Sequence, residues 1–328
     1  MICLINRLYY CKYDFTNIIG KNERILNAKH KALKASNTNS PVLIYGETGT
    51  GKELFVQAIH NNSCRRNKPF IAQNCAAIPN ELFESVIFGT VKGSFTGAEA
   101  KKGIFEVANG GTLYLDELNS IPVEFQAKFL RTLQEGTIMR LGDSKIKKID
   151  VRIISSVNEK PEFLVKEGKL RSDLFYRLNV VRIDLPPLRE RKEDIPVLVK
   201  YFIDKFNCKF KMNIKGIDKN VLEKFILREW HGNIRELEHD IEAAFNECNG
   251  DILHLNNFEK CKYGEFDNCE NKGLKYDIMK FEKQKIKEAL IICNNNISET
   301  AKYLCIPRQT LQYKLKKYKL FYKDIGDF

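Results

Sequence analysis

The segment Gly46-Glu47-Thr48-Gly49-Thr50-Gly51-Lys52 has the spacing GxxxxGK, with an apolar run from Val42 to Tyr45 leading in and Leu54, Ala58 and Ile59 opening a helical pattern after it. Glycines at these positions let backbone N–H groups curl round phosphate oxygens. The helix N-terminus adds its dipole, and Lys52 adds a point charge. The Ser or Thr that ordinarily follows the lysine as a magnesium ligand is Glu53 here, so a metal has to lean on another residue. Leu113-Tyr114-Leu115-Asp116-Glu117 ends an apolar strand in two carboxylates. Asp116 is placed to hold Mg²⁺, and Glu117 to orient and polarise an attacking water. Such a pair is ordinarily a cap or a surface turn; its place after a phosphate loop gives it the hydrolytic reading. Between the two lies Gly93-Ser94-Phe95-Thr96-Gly97-Ala98, whose glycines bracket an aromatic and a threonine and can push an apolar tip outward. A loop of that kind inside a nucleotide-binding domain suggests that nucleotide chemistry drives contact with another macromolecule. Arg171 and Arg177 flank Leu174-Phe175-Tyr176 and carry three readings: surface residues, internal partners of Asp173, or fingers reaching a neighbouring subunit's γ-phosphate.

The elements needed to position these residues are legible as alternating short strands and helices. Strands are expected at Val42 to Tyr45, Phe70 to Gln73, Thr112 to Leu115, Val151 to Ser155 and Val180 to Leu185. Near-continuous apolar strands separated by helices predict an α/β domain, a parallel sheet covered on both faces, over 13–186. After Pro186-Pro187 only helical periodicity remains (Ile195, Leu198, Val199, Phe202; Leu222, Phe225, Ile226; Ile234, Leu237, Ile241, Ala244), which predicts a helical lid over 187–249. A short extension, 1–12, precedes the sheet, and a polar stretch at 250–276 reads as a linker.

The last block, 277–320, holds ten Lys or Arg against four acids, so much of the net charge of +12 is concentrated there. A basic balance favours an acidic partner such as nucleic acid, against the alternative of lysines spread over a solvated surface. Ile286, Ala289, Leu290, Ile297, Ala301, Leu304, Ile306, Leu311 and Leu315 space the core of three short helices. The last two, Ser298 to Leu304 (capped by Ser298) and Arg308 to about Lys317, have helix-turn-helix form. Arg308, Gln309, Thr310, Gln312 and Tyr313 are the candidate base or phosphate contacts, with Lys314, Lys316 and Lys317 on the DNA backbone. Ten cysteines occur singly, with no CxxC pair and no His cluster, which points away from zinc and from a disulfide frame. No stretch approaches a membrane span and no secretory signal opens the chain, so a cytoplasmic protein is expected.

These residues resemble the sigma-54-dependent transcriptional activators, bacterial enhancer-binding proteins of the AAA+ ATPase class. The likeness runs from about Tyr13 to Asn246 and again from about Phe281 to Tyr318. Phe15-Thr16-Asn17-Ile18-Ile19-Gly20 is similar to the segment that holds adenine. GETGTGKE (Gly46 to Glu53) carries the family's own glutamate after the lysine. The resemblance implies that Asn74 senses nucleotide state by pairing with Glu117, that Asn158 senses phosphate, and that Arg235, in Trp230-His231-Gly232-Asn233-Ile234-Arg235-Glu236-Leu237, approaches the phosphates. It further implies that Arg171 and Arg177 act in trans and that GSFTGA, Gly93 to Ala98, engages sigma-54. The C-terminal block resembles the family's Fis-type DNA-binding domain.

Four departures stand out: Ser94 for Ala, Val157 for Thr, His231 for Pro, and Cys305 for the turn glycine. Losing the hydroxyl at 157 is expected to weaken phosphate sensing, and Cys305 either to strain the turn or to signal a somewhat different one. What the resemblance implies is an ATP- and Mg²⁺-dependent activator that binds upstream DNA and remodels sigma-54 RNA polymerase. Dimers would bind DNA and assemble into a hexameric ring. Only about twelve residues precede the ATPase domain, so no amino-terminal sensor is expected. Control would then come from a regulatory protein in trans, from expression level, or from a domain outside this sequence.

Overall fold

Val42–Tyr45, Phe70–Asn74, Thr112–Asp116, Arg152–Val157 and Val181–Asp184 form five strands, β1 to β5 in chain order, in one all-parallel sheet of order β2-β3-β4-β1-β5. This is a computed structural model, and it describes residues 11–94, 99–258, 279, 281–283, 285–286, 289–290, 293 and 296–318. The chain divides into two compact units, Met1–Cys261 and Lys262–Phe328.

Alternation along the strands feeds two apolar clusters, one on each face of the sheet. Leu43 joins Phe83, Phe88, Phe105, Leu113 and Phe129 on one side, while Val42 and Ile44 join Ile25, Phe55, Ile59 and Ile154 on the other. Each fully buried side chain of this kind contributes about 1.5–3 kcal/mol, so both faces are held firmly and the strand ends are fixed in space. Helix Glu23–Ser36 shows the local logic. Asn22 caps it by accepting from Arg24 N at 2.9 Å, and Ile25, Ala28, Ala32 and Ala35 turn one stripe inward. The strands begin and end within two residues of the sequence reading; the largest difference is β4, which runs on to Val157 and is buried along its whole length.

Parallel pairing brings the carboxyl ends of β1, β2 and β3 to one edge. That edge carries the glycine-rich loop, Asn74 and the Asp116-Glu117 pair, the usual place for a ligand in an open α/β sheet.

Two short antiparallel hairpins, invisible to the periodicity argument, sit on the same domain. Gly89–Thr90 pairs with Lys101–Lys102 around the GSFTGA segment, and Thr137–Met139 pairs with Ile146–Lys148. Backbone bonds from Val91 N to Leu141 O (3.2 Å) and from Leu141 N to Gly89 O (2.9 Å) join them. Glu106 clamps the second hairpin through Arg140 (2.5 and 2.9 Å) and Lys147 (2.9 Å). Gly142, at φ 74°, packs so tightly on Ser94 that an added Cβ would lie 2.6 Å from the serine's own.

The lid is built from helices Ile195–Phe210, Lys219–Leu227 and Asn233–Glu247, whose inward faces include Phe202, Phe206, Phe225, Leu237 and Ile241. It is not purely helical, and it runs past residue 249. Ile252–Leu253 pairs with Gly216–Ile217, and buried Phe258 meets the Phe225 ring at 5.2 Å. The start of the expected linker at 250 thus lies inside lid packing, because Leu253 and Phe258 are apolar residues in a stretch whose average is polar.

In the C-terminal unit Ile286, Leu290, Ala301, Leu311 and Tyr318 form the core, flanked by Ile297, Leu304, Ile306 and Leu315. Helices Ile297–Tyr303 and Arg308–Lys317 follow one another across a turn in which Cys305 adopts φ 54°, the left-handed conformation that favours glycine. The cap of the first is Asn296, which accepts from Ser298 N at 3.0 Å; Ser298 already lies within the helix. Among the described residues no helix is long and apolar enough to cross a membrane, and the cysteines are free thiols.

Candidate active site

The glycine-rich loop leaves β1 and enters helix Lys52–Asn61, whose cap, Gly51, takes φ 98°. Gly49, at φ 80°, is also left-handed. A side chain at Gly49 would run into the Gly232 carbonyl of the lid, so glycine is demanded there by sterics as well as by backbone angle. Lys52 folds back over the loop and donates to Gly46 O at 2.6 Å and Glu47 O at 3.2 Å. Burial pulls its ammonium below the ordinary lysine value, while the Asp116 and Glu117 carboxylates pull the other way.

The loop opens on a cleft of about 370 Å³ lined at one end by Thr48 to Glu53, Asn74, Asp116, Glu117 and Arg235. Tyr13, Asn17, Ile18 and Ile19 line its apolar end, opposite Leu198, Tyr201 and Phe202 of the lid. A polyanion fits the first end and a flat apolar ring the second.

Asp116 is anchored through one oxygen. Its Oδ1 accepts from Tyr114 Oη at 2.9 Å, from Glu117 N at 3.1 Å and from Ser156 Oγ, while Oδ2 takes no hydrogen bond among the described residues. A carboxylate fixed by one oxygen and presenting the other to the cleft suits Mg²⁺, which takes one or two protein carboxylates and fills its octahedron with water and phosphate. No cluster of three or more His, Cys, Asp or Glu able to hold a metal unaided is present among the described residues. Glu117 sits at φ 54°, an uncommon angle for a residue with a side chain, and its carboxylate has no partner among the described residues.

Several expected site residues stand apart from the cleft lining. Gly20 packs on Asp194 and Ile25, and the Glu47 side chain turns outward to Arg189. Val157 is fully buried, and Asn158 lies beside it with its side-chain oxygen buried and unpartnered; neither lines the cleft. Asn74 lines it, but its side-chain oxygen accepts from Ala76 N at 2.8 Å, and no hydrogen bond joins it to Glu117 among the described residues. Arg171 makes a two-pronged pair with Asp173 (3.1 and 2.9 Å), and Arg177 donates to Leu133 O at 3.1 Å, so within one chain both are engaged away from the cleft.

Of the GSFTGA segment, Gly93 and Ser94 are placed at the hairpin base; Phe95, Thr96, Gly97 and Ala98 lie outside the described residues. On the C-terminal helix, Arg308, Gln309, Gln312, Tyr313 and Lys317 are exposed and Thr310 is half-buried. The Lys314 ammonium is held by Glu282 at 2.5 Å, and Glu282 also takes the Tyr318 hydroxyl. The side chain of Lys316 lies outside the described residues.

Sequence reasoning assigned no holding role to the groups that support the site rather than fill it: Tyr114 and Ser156 behind Asp116, and Arg189, Arg191 and Asn233 behind the loop. Asn233 falls inside the quoted Trp230-to-Leu237 motif, yet the resemblance gave a role only to Arg235.

A phosphate loop after β1, an acidic end on β3 of a parallel sheet and a helical lid leaning on the loop together define an AAA+ P-loop module, followed by a small helix-turn-helix unit. Residues 18–184 match the Sigma-54 interaction domain, 189–265 the AAA+ ATPase lid domain, and 278–318 the Fis family of bacterial regulatory proteins. The chain is 47% identical over 318 residues to the transcriptional activator RocR of Bacillus subtilis, covering 93% of this chain and 69% of RocR. It is 44% identical over 323 residues to a signal-transduction and transcriptional-control protein of Clostridium beijerinckii, of which it spans 50%. Among solved structures, NtrX from Brucella abortus in complex with ATP matches with a TM-score of 0.69 at 33% identity, over 92% of this chain and 69% of that one. The chain therefore belongs to the sigma-54-dependent transcriptional activators, with an ATPase module and a Fis-family DNA-binding domain.

Proposed function

We propose that this protein hydrolyses ATP at the cleft and uses the cycle to drive the GSFTGA loop against sigma-54, opening a promoter near which the C-terminal helices hold it. The observation that carries the reading is the convergence of Lys52, Asp116, Glu117 and Arg235 on one cleft lined by the glycine-rich loop. Glu117 takes a proton from water as the water oxygen bonds to the γ-phosphorus and the bond to the bridging oxygen breaks, releasing ADP. Asp116, fixed by Tyr114, Ser156 and Glu117 N, would hold Mg²⁺, which supplies positive charge to the phosphate oxygens. Lys52 and Arg235 face the same charge; Arg235 makes no ion pair among the described residues, which leaves its guanidinium available.

Assembly into a ring would bring a neighbour's Arg171 and Arg177 to the γ-phosphate, a supply worth about 10³–10⁵ in rate where it has been measured. Arg171 would first have to leave Asp173, an exposed pair worth little. Asn74 would then report nucleotide state by exchanging its Ala76 contact for Glu117. DNA binding would use Arg308, Gln309, Gln312, Tyr313 and Lys317, with Lys314 serving to fix the helix through Glu282.

The test is a pair of variants in one promoter-opening assay. Thr96→Ala should keep ATP turnover and lose sigma-54-dependent promoter opening, whereas Lys52→Ala should lose both. Normal promoter opening by the Thr96 variant would overturn the loop's role.

A further inference from the structure

The outer arc of the phosphate loop is held carbonyl by carbonyl by the lid. Thr48 O accepts from Asn233 Nδ2 at 3.0 Å, Gly49 O from Ile234 N at 3.0 Å, and Thr50 O from Arg191 at 3.2 Å. Beside them the Glu47 carboxylate takes two bonds from Arg189 (2.8 and 2.5 Å) and one from Asn233 Nδ2 at 3.3 Å. Asn233 is the centre of this set. It is fully buried, its Oδ1 accepts from Leu188 N at 2.8 Å, and its φ of 55° is one that asparagine tolerates better than most residues with a side chain.

The consequence follows from the planar trans peptide, in which a carbonyl and the next residue's N–H point in opposite directions. Turning the Thr48 and Thr50 carbonyls towards the lid turns the N–H groups of Gly49 and Gly51 away from it. Both glycines line the cleft, and neither N–H has a hydrogen-bond partner among the described residues. Left to itself, a glycine-rich loop can rotate those peptide planes at small cost.

We infer that Asn233 is a positioning residue that locks the phosphate loop's peptide planes in their anion-receptive orientation, so that seating of the lid sets the affinity for the nucleotide triphosphate. At position 233 the hold is that of a neutral amide, while Arg189 and Arg191 hold Glu47 and Thr50 beside it and Arg235 faces the cleft instead. The inference rests on the nucleotide reading of the cleft and adds to it a route by which lid position reaches the phosphates.

The decisive substitution is Asn233→Asp. It keeps the size, the backbone preference and the acceptor for Leu188 N, but puts a carboxylate oxygen against Thr48 O and the Glu47 carboxylate. Titrating the full chain with ATP should show affinity weakened about tenfold to a hundredfold. KM for ATP should rise in step, with kcat at saturating ATP within about threefold of the unsubstituted chain. Adding Glu47→Gln, whose amide can donate to the new carboxylate, should restore most of the lost affinity. Asn233→Gly, which takes the left-handed angle without strain, should weaken binding in the same direction and decides the matter should the aspartate variant not fold. Binding within twofold of the unsubstituted chain in either folded variant, or a fall in kcat with KM unchanged, would overturn the inference. Failure of the unsubstituted chain to bind ATP would overturn the nucleotide reading itself, and the inference with it.

Discussion

The phosphate loop and the base of the GSFTGA loop are both glycine-rich turns on one domain, and the chain holds them in opposite ways. Around the first, every carbonyl from Gly46 to Thr50 is taken, by Lys52, by Thr50 itself or by the lid. Around the second, Gly93 has no described atom near the place a side chain would occupy, and attachment is confined to the hairpins below it. Those hairpins are two or three residue pairs long, tied by Glu106 to Arg140 and Lys147. Donors placed to within tenths of an ångström of a phosphate gain from enclosure on all sides. On the proposed function, a loop that pushes on a partner gains from a firm root.

That contrast predicts a clean division of effects. The largest belongs to the cleft: Glu117→Gln should bind ATP yet lower turnover about 10²–10⁴-fold, and normal hydrolysis would remove Glu117 from the chemistry. Next comes the hairpin root. Glu106→Gln should lower unfolding free energy by about 1–3 kcal/mol, leave ATP turnover within a few-fold, and impair promoter opening. Its pH dependence has a definite sign. Arg140, and then Lys147, hold the Glu106 carboxyl below its ordinary value, so its stabilisation is present above the unfolded pKa and disappears as pH falls through the folded one. The difference in Tm between the two proteins should therefore be full at neutral pH and shrink below about pH 4. A difference that persisted in acid would show that Glu106 acts by packing instead.

Smaller effects are expected in the DNA-binding unit, where Arg308, Gln309, Gln312, Tyr313 and Lys317 are displayed on an apolar frame and Lys314 is rooted on Glu282. Arg308→Ala should weaken DNA binding by about 1–3 kcal/mol if it reads a base; if it contacts phosphate, the salt dependence should fall by about one ion. Neither outcome should touch ATP turnover. Smallest of all, Cys305→Gly should raise the Tm of the C-terminal unit by relieving the left-handed angle, worth about 1 kcal/mol. A fall would show that the thiol contributes packing that outweighs the strain.

The features legible in the sequence were those whose signal is local. The loop glycines, the acidic strand end and the near-continuous apolar run from Val42 to Tyr45 each declare themselves within a few residues. What could not be read depends on partners far along the chain: Glu47 with Arg189, Asn233 with Thr48, Ser156 with Asp116. Each is an unremarkable polar residue until the fold buries it against a carbonyl or carboxylate. The two hairpins escaped because strands of two or three residues leave no periodicity to detect, and the end of the lid because Leu253 and Phe258 are isolated in polar surroundings. Lys314 is a parallel case, since its charge suggests a DNA contact while its acidic partner Glu282, 32 residues away, becomes visible only in the fold.

The close approach of Gly142 to Ser94 has a consequence for how this protein can be altered. Positions 94 and 142 share a single small volume, so the occupant of one limits the occupant of the other. Engineering of the GSFTGA loop therefore cannot treat its rim as free sequence. A larger residue at 94 would lever the two hairpins apart, and a survey of paired substitutions should find position 142 restricted to glycine whatever stands at 94, because its φ of 74° strains any side chain.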